Sequence, residues 1–310
     1  MFALLFPGQG SQAVGMLDAW GDHPAVRDTL REASAALGQD LAELIHDGPK
    51  EALDLTTNTQ PVMLTAGIAC YRAWRAEGGA EPAAVAGHSL GEYTALVAAG
   101  ALTLADALPL VRFRAQAMQD AVPVGAGAMA AILGLDAQAV REGCAQAAAA
   151  SGEVVEAVNF NDPKQTVIAG TRAGVDKACE VLKALGAKRA LLLAVSAPFH
   201  SSLMRPAAER LRERLAGVAV SKPRMPVVNN VDVAVVDDPA SIRDALYRQA
   251  FGAVRWVETV QALRLRGLGC LIECGPGKAL AGMVKRIDAE ALTMTLCDPD
   301  SLRQAKGMLT

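Results

Sequence analysis

The sequence has no surplus of positive charge. Its 30 Lys and Arg stand against 33 Asp and Glu, a formal net charge of −3 with a pI near 5.9. That leaves no basic field of the kind needed to bind a nucleic-acid backbone, so nucleic acid is excluded as a partner. It also lacks any C-x-x-C pair. Cys70, Cys144, Cys179, Cys270, Cys274 and Cys297 are scattered, with no histidine cluster beside them. They read as reduced core thiols of a cytoplasmic protein, and neither a disulfide framework nor a metal site is expected. No apolar run reaches membrane-spanning length, and no basic segment precedes the strand-like start at Phe2, so no membrane partner and no processed leader is expected. The Walker spacing G-x-x-x-x-G-K-[ST] is missing too, which weighs against a nucleotide site at Gly275-Pro276-Gly277-Lys278.

What is present is a large core. The chain has 310 residues, 52% of them hydrophobic, with a mean hydropathy of +0.23; one large domain with an insert, or two domains, is expected. Its organising stretch is Val85-Ala86-Gly87-His88-Ser89-Leu90-Gly91-Glu92-Tyr93, a short apolar strand turning through G-x-S-x-G into an apolar helix. That pentapeptide arises by chance in roughly one chain in ten of this length. Its setting between a strand and a helix is what makes it a nucleophile elbow: the central residue is forced into strained dihedrals, and a Cβ at Gly87 or Gly91 would obstruct the close backbone approach. Ser89 is therefore the candidate nucleophile, placed at a helix N-terminus where free N–H groups can stabilise an oxyanion.

In chain order, the strand Phe2 to Phe6 breaks at the turn Pro7-Gly8-Gln9-Gly10-Ser11-Gln12, a good place for a ligand. Helices are predicted at about Pro24 to Leu37, Asp40 to His46 and Val62 to Glu77, before the elbow. Thr103 and Asp106 form a capping box for another helix, on which Arg114 lies among apolar neighbours and needs an anionic partner; Arg112 is nearly as plausible by spacing. Strands at 128–133, 154–158, 165–169 and 189–193, with helices at 138–150 and 174–185, give the β-α-β-β-α-β order of a ferredoxin-like unit. The fold class is thus α/β: a large α/β-hydrolase-like subdomain with a mostly parallel sheet, residues 1–125 and 196–310, and an inserted ferredoxin-like subdomain, 126–195. After the insert comes the loop Val195-Ser196-Ala197-Pro198-Phe199-His200 and an amphipathic helix ending near Gly217. His23 and His46 sit at polar helix ends and His88 is pinned in the elbow. His200 is the best candidate for a base, and the positive helix end after it would keep it neutral. Further strands at 225–228 and 270–274 and helices at 242–250 and 278–287 complete the reading.

Together these residues carry a family resemblance. Phe6-Pro7-Gly8-Gln9-Gly10-Ser11-Gln12, Gly87-His88-Ser89-Leu90-Gly91-Glu92, Arg114, Val158-Asn159-Phe160-Asn161, Pro198-Phe199-His200, Asn229-Asn230-Val231 and Gly275-Pro276-Gly277-Lys278 resemble, end to end, the malonyl-CoA:acyl-carrier-protein transacylases of fatty-acid synthesis. The resemblance implies that Ser89 is acylated, His200 is its base, and Arg114 pairs with the malonyl carboxylate. It further implies that Gln9 and the Leu90 N–H form the oxyanion hole, and that the main-chain carbonyl of Gln249, not an aspartate, orients the histidine. Malonyl-CoA is then a substrate, acyl carrier protein a partner, no cofactor is needed, and a monomer is expected. Carrier docking is expected on Lys278, Lys285 and Arg286.

Two departures from the family pattern stand out. Ala115 replaces the usual glycine after the arginine, and Phe199 resembles the residue before the histidine in malonyl-selective acyltransferase domains of polyketide synthases, implying a pocket that rejects a methyl branch. A polyketide acyltransferase and the malonyl transferase of malonate decarboxylase are the nearest alternatives. A serine esterase or thioesterase is a more distant one, since it would need a carboxylate for the histidine and has no use for a buried arginine.

Overall fold

The computed structural model describes residues 1–195 and 197–309; Ser196, in the loop before His200, and Thr310 lie outside the described residues. The chain runs β1 (Phe2–Phe6), α1 (Pro24–Leu37), α2 (Leu41–His46), α3 (Lys50–Asp54), α4 (Thr56–Ala76), β2 (Ala84–Gly87), α5 (Leu90–Ala98) and α6 (Leu104–Asp120). It continues through β3 (Gly127–Leu133), α7 (Ala137–Ser151), β4 (Val155–Asp162), β5 (Gln165–Thr171), α8 (Arg172–Ala184) and β6 (Arg189–Leu192). The last part holds α9 (Arg205–Ala216), β7 (Val227–Val228), α10 (Pro239–Gln249), α11 (Trp256–Leu265), β8 (Cys270–Cys274), α12 (Ala279–Ile287), β9 (Leu292–Leu296) and α13 (Pro299–Leu309).

The first sheet has the order β7-β2-β1-β8-β9 and all its pairings are parallel. Its central strand, β1, is apolar at every position because both faces are covered. Phe2, Leu4 and Phe6 pack into a core with α1, α4, α5, α6 and α9, while Ala3 and Leu5 point the other way onto α11 and α12. The second sheet, order β4-β5-β3-β6, is antiparallel and carries α7 and α8 on one face around its own small core. Its other face contributes Met129, Ala131, Val158 and Val167 to the core of the parallel sheet. The α/β architecture and the ferredoxin-like strand order stand as the sequence predicts.

Polar bridges tie the end of β4 to the parallel unit. Phe160 N–H donates to the Val254 carbonyl at 3.0 Å and Val254 N–H to the Val158 carbonyl at 2.8 Å. His88 Nε2 meets Asn161 Oδ1 at 2.8 Å, and Arg286 Nε donates to Asp162 Oδ2 at 2.6 Å. Arg286 therefore clamps the two sheets through its Nε, while its side chain stays half exposed beside Lys278 and Lys285. Lys278 and Lys285 still line a groove at the surface of α12, beside β9 and α13.

Two local predictions are corrected. α4 starts at Thr56, six residues before the predicted Val62, with Pro61 inside it; a proline there removes one N–H donor but does not end the helix. The helix placed directly after His200 starts only at Arg205, beyond a single 3-10 turn. The sequence reading also left out α3, α11, β9 and α13. Among the described residues, no helix is long and apolar enough to cross a membrane.

Candidate active site

The elbow is built as its glycines require. A Cβ on Gly87 would stand 1.9 Å from the Gly91 carbonyl carbon, and one on Gly91 would stand 2.0 Å from the Phe6 carbonyl oxygen. Ser89 between them has φ 52, and His200 has φ 66; with Val233 they are the non-glycine residues of positive φ among those described. Such conformations cost about 1–3 kcal/mol each and persist only where the surroundings impose them. Here a side chain does so: Asn230 Oδ1 accepts from the Ser89 N–H at 2.7 Å, while Asn230 Nδ2 donates to the Gly87 carbonyl at 2.7 Å.

Ser89 Oγ and His200 Nε2 are 2.7 Å apart. His200 Nδ1 lies 2.9 Å from the main-chain carbonyl of Gln249. A carbonyl can only accept, so the ring proton sits on Nδ1 and Nε2 presents its lone pair to the serine hydroxyl. Burial lowers the His200 pKa to about 3, with the nearby Arg114 cation adding to the effect. His200 is thus neutral at ordinary pH, but the cause differs from the one the sequence suggested: the next long helix starts too far along the chain to act on the ring.

Arg114 is 2% exposed and faces the serine. Its Nη1 donates to Gln60 Oε1 at 2.8 Å, and its Nη2 to Gln249 Oε1 at 3.0 Å and to Ser89 Oγ at 3.2 Å. Arg114 Nε is buried without a hydrogen-bond partner, and the guanidinium carbon lies 5.3 Å from the centre of the Tyr93 ring. A buried cation with neutral amides around it and a donor to spare can take an anionic ligand. Arg112, its rival by spacing, turns away to Gln39.

These groups line a cleft of about 400 Å³, to which Gln9, Ser89, Leu90, Arg114, Phe199 and His200 all contribute; Gln249, fully buried, stands behind them. The amide of Gln9 donates to Thr56 Oγ1 at 3.1 Å, which fixes the side chain from the first turn of α4. Leu90 is the first residue of α5, so its N–H has no carbonyl one turn back within the helix. The Ser89 N–H is taken by Asn230, which leaves the Leu90 N–H as the donor from the elbow. Among the described residues, no group of three or more His, Cys, Asp or Glu side chains is placed to hold a metal ion.

Residues without a role in the sequence reading complete the site: Gln60 and Thr56 on the unpredicted start of α4, Asn230, and Glu92. Glu92 is 2% exposed. Its Oε2 accepts from the Asn230 N–H at 2.8 Å and from Gln249 Nε2 at 3.0 Å. Burial pushes its carboxyl up to about 7, against the pull of those hydrogen bonds and of Arg114.

An elbow serine, a neutral histidine and a buried arginine in one cleft are the groups that an acyl transferase for an anionic acyl group would use. The chain belongs to the family whose model is described as "Acyl transferase domain", which matches residues 3–294, and within it to the malonyl CoA-acyl carrier protein transacylases. The transacylase of that name from Escherichia coli strain K12 is 50% identical over 305 residues, 98% of each chain. The crystal structure of an acyl-carrier-protein S-malonyltransferase from Burkholderia pseudomallei 1710b is 66% identical with a TM-score of 0.97, covering 98% of both chains. A malonyl-transacylase solved in complex with a type II PKS acyl-carrier protein is 47% identical with a TM-score of 0.96, again over 98% of both chains.

Proposed function

We propose that this protein transfers the malonyl group from malonyl-CoA to the phosphopantetheine thiol of an acyl carrier protein, through a malonyl ester on Ser89. The observation that carries the reading is Arg114: a buried guanidinium hydrogen-bonded to the serine that the histidine activates. The names of its relatives support both substrate and acceptor.

In the first half-reaction His200 Nε2 takes the Ser89 proton as Oγ attacks the thioester carbonyl. The oxyanion is met by the Leu90 N–H and the Gln9 amide. Collapse of the tetrahedral intermediate expels CoA, which receives the proton from His200 and leaves as the thiol. In the second half the carrier thiol gives its proton to His200, attacks the ester, and Ser89 leaves as the hydroxyl. Through both halves the Gln249 carbonyl holds the ring tautomer, while Arg114 pairs with the malonyl carboxylate. The carbonyl on His200 Nδ1 speaks against the esterase alternative, which needs a carboxylate there.

The test is mass spectrometry after incubation with a panel of acyl-CoA donors, followed by peptide mapping. A malonyl adduct on the Ser89 peptide, discharged by holo carrier protein, is expected. An adduct on a cysteine, or rapid release of free malonate without acceptor, overturns the reading. A panel of fatty-acid, polyketide and decarboxylase carriers then separates the pathways.

A further inference from the structure

Ser89, Arg114, Gln249 and Glu92 form one buried chain of hydrogen bonds. Arg114 Nη2 donates to Gln249 Oε1, and Gln249 Nε2 donates to Glu92 Oε2 and to the Ser89 carbonyl. The amide can stand only one way round, because Arg114 can only donate while the Ser89 carbonyl on the Nε2 side can only accept. The arginine and the glutamate are each 2% exposed and the glutamine fully buried. In the free enzyme the guanidinium is thus balanced by one carboxylate at one amide's remove. Other charged or titratable groups around Glu92 are Tyr93 beside it on α5 and Asp232 beyond Asn230. His200 stands across Ser89, and Asp232 is itself held by Arg248.

A malonyl ester on Ser89 adds a second carboxylate to this enclosure. Two buried anions against one buried cation leave an uncompensated charge, which costs several kcal/mol unless a proton arrives. We infer that Glu92 is the charge-balancing residue of the malonyl half-reaction: it counters Arg114 through the Gln249 amide in the free enzyme, and takes a proton from solvent when the malonyl carboxylate pairs with Arg114. The proton returns to solvent when the malonyl group leaves. The inference rests on the reading of Ser89 as carrier of the malonyl ester. Glu92 already sits near neutrality, its carboxyl pushed up to about 7, so a further anion acts on a group poised to respond. Glu92 touches no reacting atom, and its place is that of a positioning residue.

The experiment measures protons and ester in the same samples. Enzyme is mixed with stoichiometric malonyl-CoA in weakly buffered solution containing a pH indicator, and the Ser89 ester is counted by mass. Wild type is expected to take up about half a proton per ester at pH 7, where a group of pKa about 7 is half ionised, more at about pH 8 and little at about pH 6. Glu92→Gln should show only the small release from the free CoA thiol, whose ordinary pKa is near 8.5. Uptake as large in the Glu92→Gln variant, or none in wild type at pH 7 while the ester forms, overturns the inference and leaves the function standing. Absence of the ester sinks the function itself. Should Glu92→Gln fail to fold, infrared difference spectra of wild type and Glu92→Asp decide: a protonated-carboxyl band that appears on malonylation and shifts in Glu92→Asp supports Glu92, and a band that is absent or unshifted refutes it.

Discussion

Replacing Arg114 separates a malonyl transferase from a general acyltransferase. Arg114 is 2% exposed and gives hydrogen bonds to Gln60, Gln249 and Ser89, so a malonyl carboxylate meeting it is cut off from solvent. Removing one partner of such a buried charge pair costs about 2–5 kcal/mol. At about 1.4 kcal/mol per tenfold, Arg114→Ala should lower kcat/KM for malonyl-CoA by about 30- to 4,000-fold. Acetyl-CoA brings no charge, and its transfer should fall by about tenfold or less, the scale of the lost hydrogen bond to Ser89 Oγ. Arg114→Lys should lie between for malonyl, because a point charge replaces a planar fork. The histidine introduces a complication, since Arg114 helps to hold the His200 pKa down. Assays at about pH 8, well above the ordinary histidine value, keep the base neutral in every variant. Equal losses for both donors would refute the reasoning and make Arg114 a structural residue.

With the His200 pKa at about 3, its protonation should not limit kcat/KM until far below pH 6.5, and Arg114→Ala should move that acid limb upward; an acid limb near 6.5 in wild type would contradict the buried, neutral base. The same depressed value means that the unfolded chain binds the extra proton as pH falls below 6.5, so His200's contribution to stability declines from there towards pH 3, and His200→Gln should flatten that part of a Tm-against-pH curve. Phe199, 9% exposed at the cleft wall, should reject a C2 methyl by about 1–3 kcal/mol, so Phe199→Ser raises the methylmalonyl-to-malonyl ratio of kcat/KM and an unaltered ratio places the wall elsewhere. Arg286→Ala leaves Asp162 Oδ2, in a side chain 5% exposed, without its charged partner and Asp162 with only the Lys164 N–H, and should lower stability by about 1–3 kcal/mol, read as a lower Tm. Lys278→Glu with Lys285→Glu should instead raise the KM for carrier protein at unchanged Tm.

The sequence showed what is local. The elbow was legible because Gly87, Ser89 and Gly91 lie in one short window with a strand before and a helix after, and a Cβ on either glycine would stand 2.0 Å or less from a backbone atom. The ferredoxin-like order was legible because alternating strands and helices announce themselves one at a time. Arg112 and Arg114 were harder to separate: two residues apart on one helix, both flank the apolar stripe, and only the folded structure turns Arg114 to Gln60, Gln249 and Ser89. Hidden altogether was the polar support that enters from distant segments. Gln60 and Thr56 lie on the part of α4 ahead of the predicted start at Val62. Asn230 lies just beyond the predicted strand at 225–228, but nothing local says that its side chain turns back to Ser89 and Gly87. Glu92 shows most plainly why a window is not enough. An acid in the first turn of a helix has an ordinary explanation, since it faces the positive end of the dipole and is usually solvated. Nothing near it in the chain says that it is buried, or that Asn230 and Gln249, more than 130 residues further on, both bond to one of its oxygens. Burial turns that unremarkable acid into a charge the site must balance, and burial depends on parts of the chain that no local pattern brings together.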